Sequence, residues 1–286
     1  MDEGVERNTR TIEETVITDF EDRMTYSGYL ELGTLLQAQH PLSSPEHHDE
    51  LLFIIQHQTT ELWLKLILHE LGAACAHLRA DELGHALKCI ARVKHIQKTI
   101  TDQWSVLATL TPTEYSQFRG ILGNASGFQS AQYRAVEFTL GNKHAGMLRV
   151  FESDPANLAL VTAALEAPSL YDEFLRLLAR AGHAVPQAVL ERDVTKAWEF
   201  TPELVPLFAA IYADADAHWA EYETCEELVD LEDNFQLWRF RHLKTVERII
   251  GYKRGTGGSS GVSFLKRALD LTFFPELYAV RTEIGR

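Results

Sequence analysis

Apolar residues recur at helical spacing along most of this chain, and no segment shows the strict alternation that is typical of a half-buried strand. The pattern is clear around His242, where Phe235, Trp238, Val246 and Ile249 stand seven and four residues before it and four and seven residues after it. Residues at these offsets lie on one face of an α-helix. The periodicity therefore predicts an all-α fold.

The domain organisation follows from length and composition. The 286 residues are enough for one large domain with a sizeable core. We expect a single helical-bundle domain over residues 23–286, with a small helical insertion at about residues 154–200. Residues 1–22 alternate acids with Thr and Ile, and we expect them to form a disordered tail. The only low-complexity stretch is the glycine-rich segment Gly255–Gly261.

Capping residues predict where individual helices begin. Ser44 is expected to be the N-cap of the first long helix, with Pro45 at the first helical position. Thr111 and Glu114 have the spacing of a capping box, which predicts a helix start there. Between these two starts, the apolar spacing predicts one continuous helix from about Asp81 to Leu110.

The formal net charge of −14 argues against binding partners that are themselves strongly negative. An acidic surface repels phosphate backbones and anionic lipids, so nucleic acids and membranes are poor candidates. No apolar run reaches the roughly 20 residues needed to cross a bilayer, and the N-terminus lacks the pattern of a signal peptide. The three cysteines form neither CxxC nor CxxCH, which favours a reducing cytoplasm and predicts that any haem is bound non-covalently.

Two histidines on apolar helix faces are candidate ligands or catalytic groups. His57 follows Phe53 by four residues, so both side chains project from one helix face. His242 lies on the apolar stripe described above, where an imidazole is costly to bury unless something uses it. A hydrogen-bonded core histidine is the alternative at both positions. For His242 the functional interpretation is a ligand of haem iron.

Arg119 follows Tyr115 by four residues and would form a polar patch with it on a short, otherwise apolar helix. A guanidinium so placed can clamp a carboxylate through two parallel hydrogen bonds, whereas the alternative is an ordinary surface arginine. The Gly255–Gly261 segment does not follow a strand, which excludes a dinucleotide-binding loop. It is either a linker or a mobile lid whose hydroxyl and N–H groups suit a zwitterionic ligand.

Two other histidine-containing stretches are interpreted as ordinary helix surface. Residues 46–50 include two adjacent histidines, but adjacent residues on a helix point in different directions. Glu82 and His85 form one ExxH pair, whereas di-iron bundles need two such pairs and two further carboxylates. We therefore expect a solvated helix face at residues 46–50 and no di-iron site at Glu82 and His85.

Four stretches, in order along the chain, resemble the tryptophan 2,3-dioxygenase family. They run from about residue 24 to residue 266, although residues 155–216 carry no diagnostic motif. The stretches are Tyr26-Ser27-Gly28-Tyr29-Leu30; His48-Asp49-Glu50 with Phe53 to Gln58 and Glu61-Leu62-Trp63; Thr111-Pro112 with Tyr115, Phe118-Arg119 and Ala125 to Ser130; and Trp238 to His242 followed by Gly255-Thr256-Gly257-Gly258.

The resemblance implies an all-α haem domain that assembles as a homotetramer. Each subunit would hold one non-covalent haem b, ferrous when the enzyme is active. His242 would be the iron ligand, and Trp104, Ser126 and Gly127 would border the haem.

The resemblance also implies a set of residues for the substrate. His57 would be the catalytic group near the indole N–H, Arg119 would take the carboxylate, and Thr256, with a haem propionate, would take the ammonium. Tyr26, Tyr29 and Leu30 would come from a neighbouring subunit. The full substrate-binding set is Tyr26, Tyr29, Leu30, Phe53, His57, Tyr115, Arg119 and Thr256.

The implied activity is insertion of O₂ across the C2–C3 bond of the L-tryptophan indole ring, giving N-formyl-L-kynurenine as the first step of the kynurenine route of tryptophan catabolism. A haem sensor or carrier, a cofactor-free helical interaction protein and an indoleamine dioxygenase are the alternatives. A sensor has no need of Arg119, Thr256 and a glycine loop together, and an interaction protein leaves His242 on its apolar stripe unexplained.

Overall fold

The structure is a computed structural model that describes residue 10 and residues 12–285. Every regular element within these residues is a helix, which confirms the all-α prediction. The chain divides after His40 into two compact units. The described part of the first unit contains two short helices, α1 (Tyr26–Tyr29) and α2 (Leu32–Leu35). The predicted disordered tail at residues 1–22 lies partly outside the described residues and stays a prediction.

The second unit, residues 41–286, contains the long helices. Short 3₁₀ turns link several of them. The α-helices are α3 (His48–Arg79), α4 (Leu83–Asp102), α5 (Trp104–Leu107), α6 (Pro112–Phe118), α7 (Ala131–Leu140), α8 (Pro155–Glu166), α9 (Leu170–Arg180), α10 (Gln187–Leu190), α11 (Leu204–Ala213), α12 (Trp219–Ile250), α13 (Val262–Ala268) and α14 (Pro275–Ala279).

One predicted helix start is confirmed in atomic detail. The backbone N–H of Glu114 donates to Thr111 Oγ1 at 3.3 Å, and the backbone N–H of Thr111 donates to Glu114 Oε2 at 2.7 Å. This is the predicted capping box, and it begins α6. Capping of this kind stabilises a helix by about 1 kcal/mol, which matters for a helix of only seven residues.

The predicted start of α3 is wrong. The helix begins at His48, and the Ser44–Pro45 peptide bond that precedes it is cis. Ser43 Oγ accepts the backbone N–H of His47 at 2.8 Å. The buried Glu50 carboxylate accepts the backbone N–H groups of Leu42 and Ser43 at 2.7 and 3.0 Å. These bonds hold the preceding segment in a non-helical conformation, so Ser44 cannot act as the N-cap.

The helix predicted over residues 81–110 is broken at Gln103 into α4 and α5. The Gln103 side-chain oxygen accepts hydrogen bonds from Gln56, Thr59 and Thr60 of α3, at 3.3–3.4 Å. This anchor on a neighbouring helix lies at the break. As a result, Trp104 begins a separate short helix.

The main core forms where α3, α4, α7, α9 and α12 meet, and both α3 and α12 pack against α4. A smaller apolar cluster lies between α7, the 3₁₀ turn Ala145–Phe151 and α8. In the predicted insertion at residues 154–200, α8 belongs to this smaller cluster whereas α9 contributes to the main core. The insertion itself stays a prediction.

Among the described residues, no helix combines the length and apolar character that a membrane crossing requires.

Candidate functional site

His242 lies on α12, one turn after Trp238, with its ring among aromatic neighbours. The ring stacks on Trp104 of α5, with centroids 4.8 Å apart and an interplanar angle of 11°, and lies 5.3 Å from the Trp238 ring. Burial lowers the pKa of His242 to about 4, and the nearby His57 adds to this effect. The imidazole is therefore neutral at pH 7, which is the form that binds a metal.

Five buried side-chain N–H groups have no hydrogen-bond partner within the part of the chain that the structure describes, and three of them belong to this site: Nε1 of Trp104, Nε1 of Trp238 and Nε of Arg119. An unsatisfied buried donor costs about 1–3 kcal/mol, so native proteins rarely leave several together. Acceptors from a bound group would remove that cost. A neutral imidazole beside free indole donors fits haem, whose iron takes an imidazole and whose carboxylates accept hydrogen bonds.

A buried ion pair one turn before His242 fixes the position of α12. Arg239 Nη2 donates to Glu137 Oε1 of α7 at 2.9 Å, and both residues are almost fully buried. The same guanidinium donates to the Leu271 carbonyl oxygen at 3.1 Å and lies 4.7 Å from the centre of the Phe235 ring. Removing one partner of such a pair typically costs about 3–5 kcal/mol because it leaves a buried charge unpaired, and the contact links the His242 segment of α12 to α7.

The lowered pKa of His242 makes the stability of the haem-free protein depend on pH. The folded pKa of about 4 lies below the ordinary 6.5, so the unfolded chain binds more protons between these values. We expect the free energy of unfolding to fall as the pH drops from about 6.5 to about 4, by at most about 1.4 kcal/mol per pH unit from this group. Urea titrations across this range should show a smaller fall for His242→Gln, and identical pH profiles would contradict the assignment.

His57 and Phe53 lie on the same face of α3, with ring centroids 4.2 Å apart. His57 Nδ1 lies 2.7 Å from the Phe53 carbonyl oxygen. A carbonyl can only accept, so Nδ1 carries the proton and donates it to that oxygen. Burial lowers the pKa of His57, although the bond to Phe53 and the charge of Glu61 oppose this. The neutral ring is left with Nε2 as a free acceptor.

Tyr115 lies beside Phe53 from α6, and Arg119 follows in the next turn, close to Tyr115. The Tyr115 ring lies 5.8 Å from Phe53 and edge-on to Phe118 at 5.4 Å. Burial raises the pKa of the Tyr115 hydroxyl, and the nearby Arg119 charge opposes that shift. Arg119 Nη2 donates to the Arg254 carbonyl oxygen at 2.5 Å. This hydrogen bond through Nη2 orients the guanidinium, while its buried Nε has no hydrogen-bond partner among the described residues.

The glycine segment Gly255–Gly261 packs onto the loop at residues 124–127. Thr256 Oγ1 donates to the Ala125 carbonyl oxygen at 2.5 Å. At Gly257 an added Cβ would lie 2.7 Å from Ser126 Cβ, so the close approach of the two loops requires glycine there. The Thr256 hydroxyl donates its hydrogen to the Ala125 carbonyl, so the lone pairs of its oxygen remain available. They can accept a hydrogen bond from a cation such as an ammonium.

The structure thus brings Trp104 to His242, gathers Phe53, His57 and Tyr115, and sets Thr256 beside the Ser126 loop. Ser126 Oγ accepts the Phe128 N–H and caps the short 3₁₀ turn Gly127–Gln129, in which Gly127 is exposed. Tyr26, Tyr29 and Leu30 lie in the first unit, where all three are exposed. The roles of all these residues stay predictions.

Sequence reasoning did not select two groups of this site. Trp238 appeared in the apolar stripe and in one of the four family-like stretches but received no role in the site, although its spacing of four residues from His242 was a usable signal. The carbonyl of Arg254, which orients Arg119, had no signal in the sequence because every residue carries one.

Comparison with known proteins places these residues in context. The family model described as Tryptophan 2,3-dioxygenase matches residues 12–210 and 205–284. A protein named tryptophan 2,3-dioxygenase from Kineococcus radiotolerans is 71% identical over 285 residues, covering 100% of both chains. Namesakes from Arthrobacter sp. (strain FB24) and Serratia proteamaculans are 70% and 59% identical, over 99% and 97% of this chain and 100% and 99% of their own lengths.

Proposed function

The chain belongs to the tryptophan 2,3-dioxygenase family, and we propose that it adds both atoms of O₂ across the C2–C3 bond of the L-tryptophan indole ring to give N-formyl-L-kynurenine. The chain is accordingly a dioxygenase that acts on tryptophan. The observation on which the assignment of roles rests is the pair of neutral imidazoles, His242 and His57, of which His57 lies close enough to add to the lowering of the pKa of His242.

The family is haem-dependent, and His242 is the residue that we propose holds one haem b per chain. Its neutral ring, the stacked Trp104 and the free indole N–H groups support this assignment. Bound ferrous haem would supply the binding and activation of O₂. The protein's own residues would bind the substrate, orient its indole ring and exclude water.

His57 is proposed to accept the indole N–H through Nε2. The bond from Nδ1 to the Phe53 carbonyl supports this, because it fixes the tautomer whose Nε2 carries a lone pair. The indole N–H is a very weak acid and the pKa of His57 is lowered, so His57 orients the ring rather than removing a full proton. Phe53, 4.2 Å from the imidazole between ring centroids, would contact the indole beside it.

The amino-acid end of tryptophan is proposed to lie between Arg119 and Thr256. Arg119, held at one nitrogen by the Arg254 carbonyl, presents its remaining N–H groups to the carboxylate. The Thr256 oxygen, already donating to Ala125, accepts from the ammonium. The Tyr115 hydroxyl, next to Arg119, would complete this polar end beside the aromatic rings of Phe53 and Tyr115.

We propose a homotetramer in which the first unit of each chain reaches the site of a neighbouring subunit. The exposure of Tyr26 and Tyr29, at 78% and 75%, supports this, since large exposed aromatic residues in one segment usually mark a contact surface. Analytical ultracentrifugation would test it, and a stable monomer would refute it.

We also propose a cytoplasmic location. All three cysteines, Cys75, Cys89 and Cys225, are buried free thiols, as is usual for proteins kept in a reducing compartment.

Incubation of the reduced, haem-loaded protein with L-tryptophan under ¹⁸O₂ tests the proposed reaction. Mass spectrometry should detect a product equal to tryptophan plus two labelled oxygen atoms. A haem absorption band without this product would favour a haem sensor instead. Absence of haem binding would leave the cofactor-free interaction protein as the better interpretation.

The role of His57 can be measured by combining a substrate change with a mutation. We expect wild type to favour tryptophan over 1-methyl-tryptophan by about fivefold in kcat/KM, because the methyl group removes a hydrogen bond to Nε2 that is worth about 1 kcal/mol. In His57→Ala this preference should disappear, while haem content stays normal. A preference that persists unchanged in the variant would show that His57 does not accept the indole N–H.

A further inference from the structure

Outside this site, His183, His218 and Glu221 bring two imidazoles and a carboxylate together beside α12. One ligand atom from each lies within 4.8 Å of the others. His183 Nε2 lies 3.6 Å from Glu221 Oε1, and the two imidazole rings have centroids 5.2 Å apart. The 3.6 Å separation is too long for a hydrogen bond. All three residues are partly buried, and the side chains of His183 and Glu221 are only 15% and 20% exposed.

The backbone holds these side chains from two separate helices. His183 closes the carboxyl end of α9: its N–H donates to the Leu178 carbonyl at 3.0 Å, and Gly182 before it has a φ of +95°. This is a Schellman motif, which fixes the residue after the glycine. His218 precedes the first residue of α12, and Glu221 follows it by three positions, so both occupy one side of the helix start.

We propose that His183, His218 and Glu221 bind a divalent transition-metal ion, with zinc as the best match, and so join the carboxyl end of α9 to the amino end of α12. Two imidazoles and one carboxylate are ligands that zinc commonly takes from proteins, with water in the fourth position. Ligand atoms around a tetrahedral zinc stand about 3.3 Å apart. The 3.6 Å between His183 and Glu221 is near this value, and small side-chain rotations bring the third ligand atom in.

The local charge favours a cation. Between Lys196 and Arg239 the chain carries many Asp and Glu residues but neither Lys nor Arg. Lys94 and Arg281, which reach this segment from elsewhere, bind acids further along α12. The partial positive charge at the amino end of α12 weakens the binding of a cation by less than about tenfold. The Glu221 carboxylate and the partial negative charge at the carboxyl end of α9 offset this effect.

A second cluster, His77, Glu82 and His85, has the same residue types but a different setting. His77 Nδ1 already forms a 2.7 Å bond with Glu82, and the His85 side chain is 72% exposed. The two imidazole rings stack on each other with centroids 5.2 Å apart. This cluster therefore supplies a matched control that removes the same kinds of ligand from the same protein.

The test is equilibrium dialysis of haem-loaded protein against zinc chloride, with zinc and iron counted per chain in the same sample. We expect wild type and the double variant His77→Ala/His85→Ala to retain one zinc per chain. His183→Ala and His218→Ala should each bind zinc at least about tenfold more weakly, since even the loss of a residue that only supports a ligand costs 10–100-fold. Glu221→Gln, which keeps the size of the side chain, should also bind more weakly.

Thermal unfolding gives a second reading. Zinc at 100 times its dissociation constant should raise the melting temperature of wild type by about 5 °C and leave that of His183→Ala unchanged. Zinc binding of equal strength in wild type and in the His183, His218 and Glu221 variants would overturn the proposal. So would loss of the zinc in the His77/His85 variant alone, or a wild type that retains none. The iron count reports haem binding separately, so failure here does not bear on the dioxygenase assignment.

Discussion

Replacement of His242 by alanine is expected to abolish haem retention and, with it, tryptophan turnover. No other described side chain near Trp104 and Trp238 offers the same neutral imidazole on α12, and burial keeps the His242 ring unprotonated down to a pH of about 4. Loss of an iron ligand removes the directed bond that holds a non-covalent haem in place. We expect the haem absorption band per chain to fall to background after gel filtration.

Two controls separate a lost ligand from a damaged fold. His57→Ala removes the other imidazole of the site and should retain haem, because His57 is assigned to the substrate. His95→Ala removes an exposed histidine from α4 and should behave as wild type. Added imidazole should partly restore the haem band of the His242 variant by filling the cavity. Full haem content and activity in His242→Ala would mean that another residue binds the iron.

Replacement of Arg119 by alanine is expected to weaken tryptophan binding by at least about thirtyfold. The guanidinium is the charged group proposed for the substrate carboxylate, and loss of such a contact costs about 2–5 kcal/mol when the partner charge is left unpaired. At 1.36 kcal/mol per factor of ten, the lower end corresponds to about thirtyfold. Binding can be followed by the change in the haem spectrum on titration with substrate.

The comparison substrate is tryptamine, which keeps the indole and the ammonium but lacks the carboxylate. Its binding should change little in Arg119→Ala. Arg254→Ala is the matched variant, because Arg254 contributes its backbone carbonyl to Arg119 while its side chain is exposed. It removes one neighbouring positive charge and leaves the proposed clamp intact. Equal losses for tryptophan and tryptamine would show that Arg119 supports the fold rather than the carboxylate.

Several features of the site were predictable from residue types and spacing. The apolar stripe around His242 identified a buried histidine on a long helix, and α12 places that residue among aromatic rings. Thr111 and Glu114 identified the start of α6, which carries Tyr115. These predictions succeeded because helix faces and caps depend on residues three to seven positions apart. Such short spacings can be recognised from the order of residues alone.

Other features depend on contacts between distant segments. Gln103 lies more than forty residues from the three α3 side chains that bond to it, and the continuous periodicity of residues 81–110 showed no break there. The start of α3 was mispredicted because the Glu50 carboxylate accepts the backbone N–H groups of Leu42 and Ser43. These hydrogen bonds hold the preceding segment out of the helix, so that Ser44 does not cap it.

The sequence by itself determined that the chain is all-α, which helix faces are buried, and which histidines and which arginine are candidates for chemistry. Only the tertiary structure decided the state of those groups. The Phe53 carbonyl sets the tautomer of His57, the Arg254 carbonyl orients Arg119, and the Ala125 carbonyl accepts a hydrogen bond from the Thr256 hydroxyl. All three partners are backbone oxygens, which every residue carries alike, so no residue type or spacing could reveal them before the chain was folded.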